Sequence, residues 1–298
     1  MLTEQQVAAY RRDGVIVVPG LLDPPALQEL RDIIAALVRG AAQVAAHTDV
    51  YDLEPGHTPA SPRVRRIKAP HKVDPAFAAV IRAPAVLAIL RALLGPGVRL
   101  LGSKLNMKSA HFGSPVEWHQ DWAFYPHTND DLLAVGVLLD DTDLANGPLL
   151  VVPGSHTGPV YSHHGPDGRF RGAIDPAEVA PEAARAMPLT GPAGSMSFHH
   201  VRALHGSALN TSDRARNLLL FEVAASDAWP LAGVSDLAEF DSRLLCGPAT
   251  VAPRMVAAPV RMPLPPASRQ GSIYENQASA ERNYFARPVA AQTNRSGP

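Results

Sequence analysis

The sequence predicts a mainly β protein with flanking helices, an antiparallel sandwich or barrel set behind a helical N-terminal third. Three observations carry this expectation. Up to residue 97, apolar residues recur at helical spacing behind N-cap and proline signals. From Val98 onward, short apolar runs alternate with Gly, Pro, Asn and Asp, the pattern of antiparallel strands rather than of βαβ units. Helices that come first and strands that follow argue for one core with its helices gathered on one side.

Taken in order, Thr3 and Gln6 form a capping-box pattern that opens a short helix running to Asp13-Gly14. The β-branched run Val15-Ile16-Val17-Val18 reads as a first strand. Asp23 ahead of Pro24 and Pro25 supplies an N-cap and a proline-tolerant first turn. Leu27, Leu30, Ile34, Leu37 and Val38 then put one face of that helix against the body. Asp74-Pro75 and Ala83-Pro84 open two more helices, the second stopping at Gly95-Pro96-Gly97. Strands are expected at 99–107, 132–139, 149–152, 195–199 and 218–223. An acidic loop ending in Asn146-Gly147-Pro148 joins the second of these to the third. Residues 163–186, rich in Gly, Asp, Pro and Ala, read as an insertion or lid. The tail after Pro288 reads as frayed.

Composition narrows the function class. With 46% apolar residues in 298, the chain can bury a large core. It is expected to form a single catalytic domain over 1–298: a mainly helical part to 97, a core over 98–262 and a C-terminal extension over 263–298. A net charge of -1 and the lack of a basic run argue against nucleic acid as a partner. No window approaches the ~20 apolar residues of a membrane span. The single cysteine, Cys246, cannot pair within the chain, and the polar N-terminus lacks a secretory pattern. A cytoplasmic protein acting on a small molecule is expected; oligomeric state is not legible.

The chemistry centres on Trp118-His119-Gln120-Asp121-Trp122. Residues i and i+2 of a strand face the same side, so His119 and Asp121 can point into one cavity. An imidazole and a carboxylate are two members of a 2-His-1-carboxylate triad, which leaves metal positions open. His-x-Asp alone means little. His205, in Leu204-His205-Gly206-Ser207, can supply the second histidine from a distant strand in a closed β architecture. Arg216 follows at a distance that allows a turn and a neighbouring antiparallel strand, which places a guanidinium in the same cavity. A 2-oxo acid chelates iron through its keto oxygen and C1 carboxylate, and its far carboxylate needs a planar bidentate donor such as arginine. Ser207, two residues beyond His205, adds a hydroxyl on the same side.

These residues carry a resemblance. Through His119-Gln120-Asp121, through the stretch from Asn146-Gly147-Pro148 to Pro153-Gly154-Ser155-His156, and through His205-Gly206-Ser207, Asn210, Ser212 and Arg216, the chain resembles the phytanoyl-CoA dioxygenase family of iron/2-oxoglutarate oxygenases. The likeness runs from about Thr3 to Ala224. It implies a double-stranded β-helix (jelly roll, cupin-like), Fe(II) on His119, Asp121 and His205, and 2-oxoglutarate on Arg216 and Ser207, with O2 as cosubstrate and succinate and CO2 as coproducts. Halogenating relatives replace the aspartate with a small residue, so Asp121 favours hydroxylation or a related desaturation or ring-forming oxidation. Two features depart from the family pattern: Ser195 stands where many relatives carry aspartate, and 132–139 contains no aromatic residue.

Other residues admit a functional and a structural reading. Lys104, Asn106 and Lys108 share a strand face, and Lys104 is the candidate for the cosubstrate carboxylate; a solvated basic face is the alternative, as it is for Lys68. Trp122, Phe124, His111 and Arg269 are candidate substrate contacts, against core packing for the aromatics and an ordinary loop for His111. His127 has the same two readings as His111. Glu117, Trp118 and Tyr125 surround the metal segment. Neither His163-His164 nor His199-His200 should chelate, because adjacent strand residues face opposite sides. His156 reads as structural. Asp140, Asp141 and Asp143 read as a solvated turn. Tyr274 and Glu275 lie on a segment that either closes over the site or packs as surface coil. Arg169 and Arg171, in the lid, suggest an anionic substrate. A metal-dependent isomerase or epimerase, a zinc hydrolase and a catalytically silent binding module are the competing functions, and the arginine clamp argues against a site without the cosubstrate.

Overall fold

A computed structural model describes residues 1–111 and 113–287, so the expected fraying after Pro288 lies outside the described residues. Capping chemistry sets the first helices. Thr3 and Gln6 close the box of α1 (Glu4–Asp13), and Gly14, at φ +71°, makes the left-handed turn that ends it. β1 (Val15–Val18) follows directly. Asp23 caps α2 (Pro24–Gly40), which buries Leu27, Leu30 and Ile34 as its spacing predicts.

The N-terminal third is not wholly helical. β2 (Tyr51–Leu53) and β3 (Val64–Lys68) pair with each other and extend the large sheet. Their charged composition hides them, since Arg65, Arg66 and Lys68 interrupt the apolar alternation. Next come α3 (Pro70–Val73), α4 (Pro75–Arg82) capped by Asp74, and α5 (Pro84–Leu94).

The β half comprises β4 (Val98–Lys108), β5 (Val116–His119), β6 (Leu132–Leu138), β7 (Leu149–Val151), α6 (Pro176–Ala183), β8 (Met187–Leu189), β9 (Met196–His200), β10 (His205–Ser207) and β11 (Arg216–Ala225). It ends with α7 (Leu237–Ser242), β12 (Leu244–Cys246) and α8 (Ile273–Gln277). The large sheet runs β1-β9-β6-β11-β4-β3-β2, with β12 also on β4, and the small sheet runs β5-β10-β7-β8. All the strand pairs are antiparallel. Strands distant in sequence lie side by side in both sheets, which is the jelly-roll arrangement.

Alternation along the large sheet decides what each face does. Leu105, Val135, Phe198, Leu219 and Phe221 are buried in the main core with Leu30, Phe77 and Ile89 of the helices. The intervening residues, among them Lys104, Asn106, Lys108, Leu218, Leu220 and His199, turn inward and line the functional cavity. Segment 163–186 is a packed element rather than an open lid. Its Ile174, Val179 and Ala183 are buried against Trp118, Val152, Leu204 and Phe285.

Phe221, on a central strand, is fully buried. Its replacement by alanine is expected to cost about 3–5 kcal/mol, read as a lower urea midpoint. An unchanged midpoint would contradict the two-faced sheet.

Candidate metal and cosubstrate site

Register brings the ligands together. In the β5–β10 ladder His205 stands directly opposite His119, so both rings leave the small sheet on the same face. β5 ends at His119. Gln120 stays extended, at φ -118° and ψ 128°, so Asp121 points the same way although it opens a short 3-10 turn. His119, Asp121 and His205 are all buried, and one donor atom from each lies within 4.8 Å of the others. The Nε2 atoms of His119 and His205 stand 3.7 and 3.9 Å from the Asp121 carboxylate.

The surroundings fit a cation. His119 Nδ1 hydrogen-bonds the Glu117 carbonyl at 2.8 Å and His205 Nδ1 the Ala203 carbonyl at 2.9 Å. Each ring therefore spends its outer nitrogen on the backbone and keeps Nε2 for the cavity. Burial pushes the pKa of both rings down, so they present neutral lone pairs. Burial opposes ionisation of Asp121, but His205, Lys104, His119 and His199 outweigh it and hold the carboxyl well below its usual range.

A second cluster, at the far end of β4, fits an anion. Arg216 is buried, and its Nε and Nη2 donate to the Gly147 carbonyl, the former at 3.1 Å. Across the β11–β4 ladder it faces Lys108. The Lys108 ammonium donates to Ser207 Oγ at 2.9 Å and to the Ala208 carbonyl. Neither cation has an ion-pair partner among the described residues. Burial lowers the pKa of both, that of Arg216 to about 10, with Arg216 lowering that of Lys108 further, and an anion bound between them would offset this cost. Gly147, at φ +73°, allows this approach. A Cβ there would meet the Ala208 and Leu209 carbonyls at 3.0 Å and Lys108 Cδ at 3.1 Å. Asn210 Nδ2 donates to the Lys108, Ser109 and Arg214 carbonyls and ties the turn that leads into β11.

The remaining candidates divide. Lys104 lines the cavity but pairs with Glu222 at 2.8 Å, so the lysine beside Ser207 and Arg216 is Lys108. Trp122 is a core residue: it is buried in the main cluster and its Nε1 donates to the Pro259 carbonyl at 2.9 Å, which removes it from the substrate contacts. Phe124 packs edge-on to the His119 ring, 5.8 Å between centres, and to Phe170. His111 is exposed on a turn at φ +55° and lines no part of this cavity. Arg269 is likewise outside it, at a separate surface cleft with Arg65 and Glu275. Arg169 and Arg171 sit on a surface turn, where Arg171 pairs with Asp167, so the cations facing the cavity are others.

Of two further contributors, His199 was not legible, whereas Tyr274 lies on the segment with two open readings, of which the structure has the one that closes over the site. His199 turns inward while His200 turns out, and His199 Nε2 lies 3.9 Å from Asp121. Only the phase of β9 decides which of the pair is internal. Tyr274 and Ile273 of α8 line the cavity from above. Gln277 anchors α8 by accepting from the Glu117 N–H at 2.9 Å and donating to the Gly172 carbonyl at 2.7 Å.

A jelly roll with a buried His–Asp–His triad at one end of its cavity and two unpaired cations at the other defines a non-haem iron(II), 2-oxoglutarate-dependent oxygenase. Residues 10–218 match the family model of phytanoyl-CoA dioxygenase (PhyH), and the chain belongs to that family. It is 37% identical over 288 residues to a probable alpha-ketoglutarate-dependent hypophosphite dioxygenase of Stutzerimonas stutzeri, covering 96% of this chain and 100% of that protein. It is 33% identical to L-proline trans-4-hydroxylase of Streptomyces griseoviridis, covering 71% of this chain and 82% of that one. The crystal structure of EctD from S. alaskensis with bound Fe superposes with a TM-score of 0.65 at 25% identity, over 88% of this chain and 89% of that one.

Two outcomes are expected. Under anaerobic conditions, protein with Fe(II) should develop a visible charge-transfer band on adding 2-oxoglutarate. Asp121→Ala should abolish it, and Arg216→Ala should raise the 2-oxoglutarate concentration needed by about tenfold or more, the worth of a lost charge-assisted bond. Stability of the metal-free protein should also depend on pH. His127 and His163 are buried with pKa values lowered from 6.5 to about 4. Unfolding lets them take up protons, so the stability they contribute is complete above pH 6.5 and is lost as pH falls towards 4. Melting temperature with chelator present should fall across that window, and a flat profile would refute the assignment.

Proposed function

We propose that this oxygenase hydroxylates a small oxyanion of the hypophosphite type. The observation that carries the reading is the end-to-end likeness to the hypophosphite enzyme. Its coverage leaves too few residues out to exclude α8, the element that lines the cavity from above. The cationic lining of the cavity, with Lys104, Lys108 and Arg216, supports an anionic substrate.

In this reading His119, Asp121 and His205 hold the iron, and Arg216, Lys108 and Ser207 take the far carboxylate of 2-oxoglutarate. When bound, iron and cosubstrate supply the oxidising power: one atom of O2 enters succinate as CO2 leaves, and the other enters the product. The protein's own residues do the positioning. The backbone bonds of His119 and His205 fix ring orientation, the buried clamp fixes the cosubstrate's register, and α8 keeps water away. With hypophosphite the bond broken is P–H and the bond formed is P–O, so the product is phosphite.

A cytoplasmic location fits the single half-buried cysteine and the supply of 2-oxoglutarate. No single helix among the described residues is long and apolar enough to cross a membrane. Nothing in the charge distribution favours a nucleic-acid or membrane partner.

The test is succinate formation by purified protein with Fe(II), ascorbate, O2 and 2-oxoglutarate. Hypophosphite should raise the rate at least tenfold over the substrate-free rate, with phosphite formed one-for-one, whereas L-proline and ectoine should not. Stimulation by proline or ectoine without hypophosphite turnover would overturn the reading.

A further inference from the structure

Outside the triad and the clamp, the inner sheet face carries one more built cluster. Lys104, on β4, is four residues from Lys108 on the same face, about 13 Å along the strand. Its ammonium meets Glu222 of β11 at 2.8 Å, and both side chains are mostly buried. Glu222 reaches it diagonally, because Glu222 stands opposite Gly102 and Lys104 opposite Leu220. A side chain at position 102 would crowd Glu222 Oε2 at 3.1 Å, so Gly102 leaves room for the pair. His199, 1% exposed, stands with Nε2 3.9 Å from the Asp121 carboxylate, and its Nδ1 lacks a hydrogen-bond partner among the described residues. Lys104, His199 and Asp121 line one cavity, and the other side chains closing it nearby are Ala134 and Leu220.

We propose that Lys104, held by Glu222 and assisted by His199, is the seat of the substrate's oxyanion, beside Asp121 and at the end of the cavity away from the cosubstrate clamp. The inference rests on the reading that the substrate is a small oxyanion and assigns the groups that recognise it. An ammonium has three donors; one is committed to Glu222, and no other hydrogen bond from Lys104 is made among the described residues. Burial would discharge Lys104, but Glu222 and Asp121 outweigh it and keep it charged. Glu222 is thus a positioning residue, holding Lys104 beside the iron ligands and away from the clamp. Ala134, Leu218 and Leu220 form the apolar wall of the cavity beside these groups. Two cationic ends on one strand face, separated by Asn106, let the cavity sort two anions: a dicarboxylate at Lys108 and Arg216, and a small oxyanion at Lys104.

The experiment measures both anions on the same protein. Anaerobic Fe(II) enzyme is titrated first with 2-oxoglutarate, following the visible band, and then with hypophosphite, following the shift of that band and the heat of binding. Phosphite and formate serve as alternative oxyanions. Lys104→Met is expected to keep the 2-oxoglutarate titration within about twofold of wild type, which also shows that it folds, and to weaken hypophosphite binding by tenfold or more. Lys104→Arg should restore part of the loss, and Glu222→Gln should fall between. Hypophosphite binding equally well to Lys104→Met overturns the assignment while leaving the proposed substrate intact. Loss of 2-oxoglutarate rather than hypophosphite also overturns it, since Lys104 would then belong to the clamp. If wild type ignores hypophosphite but binds phosphite or formate through Lys104, the seat stands and the substrate reading fails. If no oxyanion perturbs wild type, both fall.

Discussion

The structure depends on one antiparallel pairing, His119 of β5 opposite His205 of β10. Residues directly opposite in such a ladder send their side chains to the same face with Cβ atoms ~5 Å apart. Two imidazoles thus converge without any loop having to place them. Asp121 needs only one extended residue, Gln120, to join them, and Gln120 is tightly held. Its N–H donates to His163 Nε2 at 2.8 Å, and its side-chain amide Nε2 donates to the Pro159 and Arg202 carbonyls. The network around Gln120 gives the triad its rigidity.

Charge balance explains the rest of the cavity. A single buried carboxylate, Asp121, sits among three imidazoles and near Lys104, which favours its ionised form. At the other end Arg216 and Lys108 lack a counter-ion, and buried unpaired charges are destabilising. The same uncompensated charge is what a dicarboxylate neutralises, so the site holds in reserve the interaction that cosubstrate binding completes. Lys104 differs because Glu222 already balances it. A balanced cation suits a weaker, exchanging ligand, whereas an unbalanced pair suits a cosubstrate that must be seated first.

Much of this was legible in residues. Thr3, Asp23 and Asp74 mark helix starts through hydrogen-bonding chemistry that operates locally, and the structure has the helices there. The triad was legible because a two-residue spacing on a strand is a geometric constraint, and the jelly roll followed from helices-then-strands order together with the family likeness. What escaped depends on tertiary phase. Lys104 and Lys108 share a face, and only the Arg216↔Lys108 register shows which one meets the clamp. His199 and His200 are interchangeable until the pairing of β9 with β6 sets their sides. Trp122 follows the metal ligand directly, yet the turn at Asp121 sends its ring into the main core. β2, β3 and α8 carry too many charges or too few residues to signal themselves.

The C-terminal cover shows why likeness across the whole chain bears on substrate while likeness of fold does not. Glu117 lies two residues before the first ligand. Its N–H is held by Gln277, and its carboxylate accepts the Tyr284 and Phe285 N–H groups at 2.8 and 3.3 Å. Arg65 of β3 pairs with Glu275 and lies under the Tyr274 ring, 4.4 Å from its centre. The cover is therefore fastened to the strand carrying His119 and to β3 of the large sheet, and it contributes Tyr274 and Ile273 to the cavity. The family model ends at residue 218, within β11, and reaches neither Glu222 nor α8. Residues 10–218 carry the triad, Ser207, Lys108 and Arg216, so the proposed oxyanion seat, which needs Glu222, and the α8 cover both draw on chain outside the match.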